Sequence, residues 1–365
     1  MSPKYNRVYL TALGYELGPE IVTTGEIEAR LAPVYGHLHL QPGQLEAWTG
    51  IDERRWWEQD CSLSAGATAA ARKALAKSPV QAADLGMLIY AGVCRENFEP
   101  ATACAVADAL GVRGSVSVYD LSNACLGVLN GMIDIANRIE LGQIRAGLVV
   151  SCESAREINE IAISRLLREG RGDIRDPSRG AAGMEEFAET LATFTGGSGA
   201  VAMLLTDGSF AGSKGHRLCG AVSQVAPEHH RLCRWGMKPV QDGDDSDGFA
   251  QYMATDSVAV LRHGVQLGQQ TWQVFLREMG WMPEQIDRVI CHQVGSGHQD
   301  AILKSLQIPR EKDYTTYRFL GNMGTAALPV TAAIADERGV LKSGQRVAFL
   351  GIGSGLTCLM MGLEW

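Results

Sequence analysis

Short runs of Val, Leu and Ile, apolar at consecutive positions, alternate along this chain with longer segments whose apolar residues recur at helical spacing. The runs Arg7–Leu13, Leu85–Ala91, Ser115–Leu121, Ala146–Cys152, Gly199–Thr206, Arg288–Cys291 and Arg346–Gly351 predict strands. The segments Ser64–Lys77, Thr102–Leu110, Gly127–Leu141, Gln266–Met279 and Ala326–Arg338 predict helices. A strand that is apolar throughout keeps no face for water, so it belongs in a sheet covered on both sides. Such strands alternating with helices make a layered α/β protein.

A weak duplication runs through the pattern. The first half has the strand Ser115–Leu121, a turn, a long helix and the strand Ala146–Cys152; the second has a polar turn, the helix Ala326–Arg338 and the strand Arg346–Gly351. The boundary falls near residue 210, within Asp207–Gly215, giving halves 1–210 and 211–365. Two stretches interrupt the alternation. Arg165–Glu186 is charged and Gly-rich, and Trp235–Phe249 carries Pro239 and the acidic run Asp242, Asp244, Asp245 and Asp247. Both are expected to be surface insertions, as solvated loops or lids.

Composition narrows the class. At 365 residues and 46% hydrophobic, the chain can bury a large core, as two domains or one duplicated architecture. A formal net charge of −8 with no basic run argues against a nucleic-acid surface. No apolar stretch reaches the ~18–20 residues of a membrane span, and Thr11, Gly14 and Glu16 interrupt any signal-peptide core. The nine cysteines are odd in number and contain no CxxC pair, so neither a disulfide framework nor a metal site is indicated. The expectation is a cytoplasmic protein with reduced thiols.

Four short segments carry candidate chemistry. In Ser122-Asn123-Ala124-Cys125-Leu126-Gly127, a strand ends and a helix begins close to Cys125. A thiol there faces unpaired backbone N–H groups, which favour thiolate and could hold an oxyanion; equally, Cys125 could be one more buried cysteine. In Cys291-His292-Gln293-Val294, a strand delivers His292 to a strand end, where side chains of α/β folds reach a shared crevice. A lone histidine there is more often structural than chemical. In Gly321-Asn322-Met323-Gly324-Thr325, Asn322 precedes a helix and on its own would be a cap. Together, Cys125, His292 and Asn322 offer a nucleophile and two hydrogen-bond donors for an enolate or oxyanion. Finally, Leu350-Gly351-Ile352-Gly353-Ser354-Gly355-Leu356 runs a strand into three glycines without phosphate-loop or dinucleotide spacing. It is either a plain turn or one that aims N–H groups, at Gly353 among others, toward a carbonyl oxygen.

These segments, with 30 residues between His292 and Asn322, resemble the thiolase-fold condensing enzymes of the 3-oxoacyl-[acyl-carrier-protein] synthase III family over nearly the whole chain. The resemblance implies a five-layered αβαβα fold of two similar halves, usually dimeric. It implies that Cys125 accepts an acyl group and that His292 and Asn322 stabilise the enolate or oxyanion. A second thioester then supplies a carbanion that attacks the acyl-cysteine and gives a β-ketoacyl product. No metal or redox cofactor is implied; coenzyme A or acyl-carrier-protein thioesters are the substrates.

A malonyl thioester makes its carbanion by losing carbon dioxide, whereas an ordinary acyl thioester must lose an α-proton to a base. Glu99, in Asn97-Phe98-Glu99-Pro100 and 26 residues before Cys125, is similar to the glutamate of olefin-pathway synthases that join two acyl-CoAs head to head. In those enzymes the glutamate enters the partner's active site across a dimer. Asn123–Cys125, Asn130-Gly131-Met132 and Gly351–Leu356 also resemble that subgroup. Two positions depart from the wider family: Gly297 and Trp48 stand where arginines are usual, which weakens the case for carrier-protein docking. Cys358 follows the terminal glycine turn, whereas degradative thiolases place a second catalytic cysteine inside it. An acyltransferase to an alcohol or amine, or a non-catalytic acyl-binding subunit, are the alternative readings.

Overall fold

The computed structural model describes residues 3–169, 177–212, 215–239 and 248–365. In chain order its strands are β1 (Tyr9–Leu17), β2 (Glu20–Thr23), β3 (Glu53–Trp56), β4 (Met87–Tyr90), β5 (Ser117–Asp120), β6 (Ala146–Glu153), β7 (Gly199–Thr206), β8 (His216–Val225), β9 (Cys233–Pro239), β10 (Phe249–Thr255), β11 (Arg288–Cys291), β12 (Arg346–Gly353) and β13 (Thr357–Glu364). The helices are α1 (Thr24–Arg30), α2 (Ala32–His37), α3 (Gln44–Thr49), α4 (Leu63–Ala76), α5 (Thr102–Leu110), α6 (Gly127–Glu140), α7 (Arg156–Glu169), α8 (Pro177–Thr190), α9 (Ser257–Met279), α10 (Ser296–Leu306), α11 (Tyr317–Leu320) and α12 (Ala327–Glu337).

The main sheet runs β11-β12-β13-β8-β1-β7-β6-β4-β5. It is two sheets joined at one seam, since β1 and β8 pair only through Tyr9–Arg217 and Leu10–His216. On the first side β1 pairs β7 and β7 pairs β6 antiparallel, then β6, β4 and β5 run parallel. The second side repeats this order: β8–β13 and β13–β12 antiparallel, β12–β11 parallel, then a single parallel bridge from Val289 to Asp313 where β5 has its counterpart.

Alternation along the strands explains the layering. Met87 and Ile89 of β4 and Val201, Met203 and Leu205 of β7 face the central cluster, with α6 and α12. Leu88 and Tyr90, and Ala200, Ala202 and Leu204, face the outer cluster with α4 and α5. On the far side Val289 of β11 and Leu350 of β12 face Leu267, Trp272 and Phe275 of α9 and Leu303 of α10. The order helix, sheet, helix, sheet, helix is the five-layered thiolase-like arrangement. A smaller cluster seats α1, α2 and α3 against α7 and α8 through Ile27, Leu31, Tyr35, Leu45, Ile163 and Phe187.

Strands β7 and β11 span the residues the sequence predicts; α9 does not. It starts at Ser257, well before Gln266, where the Asp256 side chain accepts the Ala259 amide at 2.9 Å. The first turns carry exposed Val258 and Arg262 and half-buried His263, so their apolar period is blurred. The loop expectation for the two stretches is corrected where they are described. Arg165–Glu186 falls on α7 and α8, and the described ends of Trp235–Phe249 fall on the arms of a hairpin in which β9 and β10 pair from Phe249–Pro239 to Thr255–Cys233. Composition misled because β9 has no buried residue and so shows no apolar alternation. Residues 170–176 and 240–247, including the acidic run, lie outside the described residues.

Close approach of backbone fixes one packing distance. A β-carbon on Gly14 of β1 would fall 2.2 Å from the Ala70 carbonyl oxygen and 2.6 Å from the Ala74 nitrogen of α4. The contact also needs the small buried residues Ala67, Ala70, Ala71 and Ala74. Gly14→Ala is therefore expected to destabilise the protein by about 1–3 kcal/mol through overpacking, read as a lower denaturant midpoint; an unchanged midpoint would contradict this packing.

Candidate active site

Strand β5 ends at Asp120 and α6 begins at Gly127, so residues 121–126 must turn from sheet to helix in a few steps. Ala124 takes φ +45°, a left-handed conformation uncommon for a residue with a β-carbon. The turn presents Cys125, which is partly exposed as a residue. Gly127 is small for a reason other than substrate approach: a β-carbon there would sit 3.1 Å from the Ala91 carbonyl oxygen at the end of β4.

Elements of the second half close on this turn. The Thr325 hydroxyl accepts the Val128 amide of α6 at 2.8 Å. At the end of β12, a β-carbon on Gly353 would lie 3.4 Å from the Cys125 nitrogen, and one on Gly351 would lie 2.6 Å from Leu126. The glycine run is thus pressed against Cys125 and Leu126. His292 leaves β11 beside the same strand, its amide donating to the Leu350 carbonyl at 3.0 Å. Gln293, fully buried, donates to the Cys291 carbonyl at 2.6 Å and accepts the amides of Thr316 and Tyr317, fixing the segment that leads to Asn322. The Asn322 backbone bonds to Thr195 and Gly197, and its Oδ1 accepts the Gly324 amide at 3.1 Å. The Nδ2 hydrogens are then the groups Asn322 has left to donate.

Burial governs the electrostatics. Desolvation pushes the Cys125 thiol up to about 12, with Cys233 and Glu153 adding to the effect. This differs from the sequence expectation that a helix end would favour thiolate. The amides of Leu126, Gly127 and Val128 are already engaged, to Asn123, Ala124 and Thr325, and the amide of Cys125 itself, which does reach the sulfur, does not offset burial. Burial likewise pushes His292 down to about 4, helped by His298. At neutral pH the resting pair is thiol and neutral imidazole. The His292 Nδ1 is buried without a hydrogen-bond partner among the described residues.

One carboxylate was not singled out by sequence reasoning. Glu153, at the end of β6 and 4% exposed, accepts the amides of Val93 at 2.9 Å and Cys94 at 3.1 Å. The Thr325 amide also bonds to it, and a β-carbon on Gly324 would lie 3.2 Å from its Cδ. Its only sequence signal is an acid closing an otherwise apolar strand. Glu99 is placed differently. It is exposed in the segment between β4 and α5, and among the described residues no hydrogen bond or ion pair joins it to Cys125, His292 or Asn322. The segment itself is held: Glu96 accepts from Ser62 and Ser64, and Asp120 accepts the first amides of α5, Thr102 and Ala103, each at 2.9 Å.

The histidines give a pH signature. His292 and His298 are both held near 4, so the unfolded chain binds protons that the folded one refuses between about 6.5 and 4. Stability is therefore expected to fall as pH drops through that window, by roughly 1.4 kcal/mol per pH unit for each histidine. Burial raises Asp313 to about 6, which acts in the opposite sense between about 4 and 6. His298→Asn should flatten the acid limb of a stability–pH curve relative to the unmodified protein; superimposable curves would refute the assignment.

Comparison with known proteins agrees with this geometry. Residues 276–365 match the model of the 3-oxoacyl-[acyl-carrier-protein] synthase III C-terminal family. The chain is 51% identical over 364 residues to an acyl-CoA:acyl-CoA alkyltransferase of Shewanella oneidensis, covering 99% of this chain and 100% of that protein. It is 35% identical to the Xanthomonas campestris enzyme of the same name, over 99% of both. A crystal structure of Xanthomonas campestris OleA superposes with a TM-score of 0.88 at 34% identity, covering 99% of this chain and 98% of that one. Another, with lauric acid and lauroyl-CoA bound, does so at 0.87, covering 99% and 100%. With the nucleophile turn, the histidine strand and the asparagine turn meeting as described, the chain belongs to the acyl-CoA:acyl-CoA alkyltransferases, a branch of the synthase III condensing enzymes.

Proposed function

We propose that the protein joins two acyl-CoA thioesters head to head, with Cys125, His292 and Asn322 as the catalytic set, Glu99 as the base and Gly353 backing the nucleophile. Residues 1–210 supply the nucleophile and the base, and residues 211–365 supply His292 and Asn322. Cys125 sulfur attacks the first thioester carbonyl, its proton passes by way of the His292 imidazole to the departing CoA sulfur, and an acyl-cysteine remains. The second acyl-CoA then loses an α-proton to a carboxylate. Donors from His292 and Asn322 hold the negative oxygen of the resulting enolate. The α-carbon attacks the acyl-cysteine carbonyl, Cys125 leaves as thiolate, and the product is a β-ketoacyl-CoA. The steps need the two thioesters and no further group.

The segment between β4 and α5 carries this reading. Three carboxylates fasten it, through Val93 and Cys94, through Glu96, and through Thr102 and Ala103. Yet Glu99 is exposed and Phe98 beside it is 96% exposed. A fixed segment that presents an apolar ring and an acid to the outside is built to meet another surface. It lies beside β5, an edge strand with one neighbour. Pairing of β5 with its copy would make a homodimer and bring the acid to the neighbouring site, so that each Cys125 is served by Glu99 of the partner subunit. The reduced thiols fit a cytoplasmic setting.

Two variants test this. Cys125→Ala is expected to stay folded and to take up no acyl group from acyl-CoA, read by intact mass; an adduct of acyl mass on that variant would exclude Cys125. Glu99→Ala is expected to acylate normally while condensation of two acyl-CoAs falls at least ~100-fold, the usual scale of general-base catalysis. Equal losses in both steps would remove the base role.

A further inference from the structure

Glu153 is the only residue described above that touches both the segment bearing Glu99 and the turn bearing Asn322. It reaches the first through the amides of Val93 and Cys94, and the second through the amide of Thr325 and the face of Gly324. Thr325 in turn holds α6 two residues past the nucleophile turn, through Val128. A single 4%-exposed carboxyl group therefore lies where three separately encoded pieces of the site converge. Such a group is costly to bury, and three backbone donors and the Cys94 thiol compensate for the lost water. A backbone carbonyl or a buried water could have satisfied those amides without bringing an acid near the nucleophile.

We infer that Glu153 is a positioning residue for condensation: its carboxyl group locks the Glu99 segment and the Asn322 turn to one another. The inference rests on the roles proposed for Glu99 and Asn322, and it adds a consequence. Because Glu99 serves the partner subunit's site while Asn322 serves its own, Glu153 ties the base offered to one active site to the oxyanion donor of the other. Glutamine at 153 keeps one acceptor oxygen but turns an NH2 group toward amide donors, so at least one anchor opens. Aspartate keeps the charge but is one methylene short.

The test reads anchoring and chemistry separately. Hydrogen exchange at the amides of Val93, Cys94 and Thr325 is followed by mass spectrometry of the peptides that carry them, and acylation and condensation are followed with one acyl-CoA by intact mass and by product. For Glu153→Gln the expected results are faster exchange at those amides, acylation within about threefold of the unmodified protein, and condensation down at least tenfold. Glu153→Asp should show the same pattern in weaker form. If Glu153→Gln does not fold, Glu153→Asp carries the test by its split between retained acylation and reduced condensation. Condensation at full rate in either folded variant, or unchanged exchange at all three amides in Glu153→Gln, would overturn the inference. Should the unmodified protein itself form no β-ketoacyl product, the reading of its reaction fails, while the exchange still decides whether Glu153 ties the two segments together.

Discussion

Val128 is the second residue of α6, and its backbone amide has no acceptor inside its own helix. The Thr325 hydroxyl, from the other half of the chain, takes that amide at 2.8 Å. This bond stands at the point where the two inner helices, α6 and α12, begin beside each other in the central cluster. With the glycines of β12 pressed against Leu126 and Cys125, it sets the nucleophile turn against the second half with little slack. The rest of the site depends on that closeness. The same closeness encloses the sulfur, and burial rather than the helix end sets its proton affinity.

The result is a site that rests uncharged. An ion pair of thiolate and imidazolium would need both groups solvated or strongly paired, and burial opposes each charge separately. A neutral thiol gains nucleophilicity only as an electrophile arrives to take the charge, and hydrogen-bond donors in a water-poor site then count for more than they would in water.

Much of this was legible in the chain and some was not, for identifiable reasons. Strands β4, β6, β7 and β11 are apolar on both faces, so continuous runs disclosed them. His292 follows such a strand, and Cys125 and Asn322 stand just before helical segments, which is why their segments could be found without coordinates. Residues 235–239 of β9 were read as loop because the strand carries Arg234, Gly236 and Lys238 and buries none of its residues. Glu153 escaped notice because its function is made of backbone amides far away in sequence, 59 and 60 positions for Cys94 and Val93. A hydrogen bond to an amide leaves no trace in side-chain identity at the donor.

The duplication also explains why the chain is asymmetric where its halves are alike. In the first half the parallel run ends on β5, a strand of four residues with an open edge. In the second it shrinks to one bridge between Val289 and Asp313. An open edge is a template for another strand, and proteins normally cover or break it; here one edge is broken and the other is kept. The kept edge adjoins the segment bearing Phe98 and Glu99, with Asp120 at its end holding α5. The half that carries Cys125 is thus also the half that keeps a strand edge open to pairing.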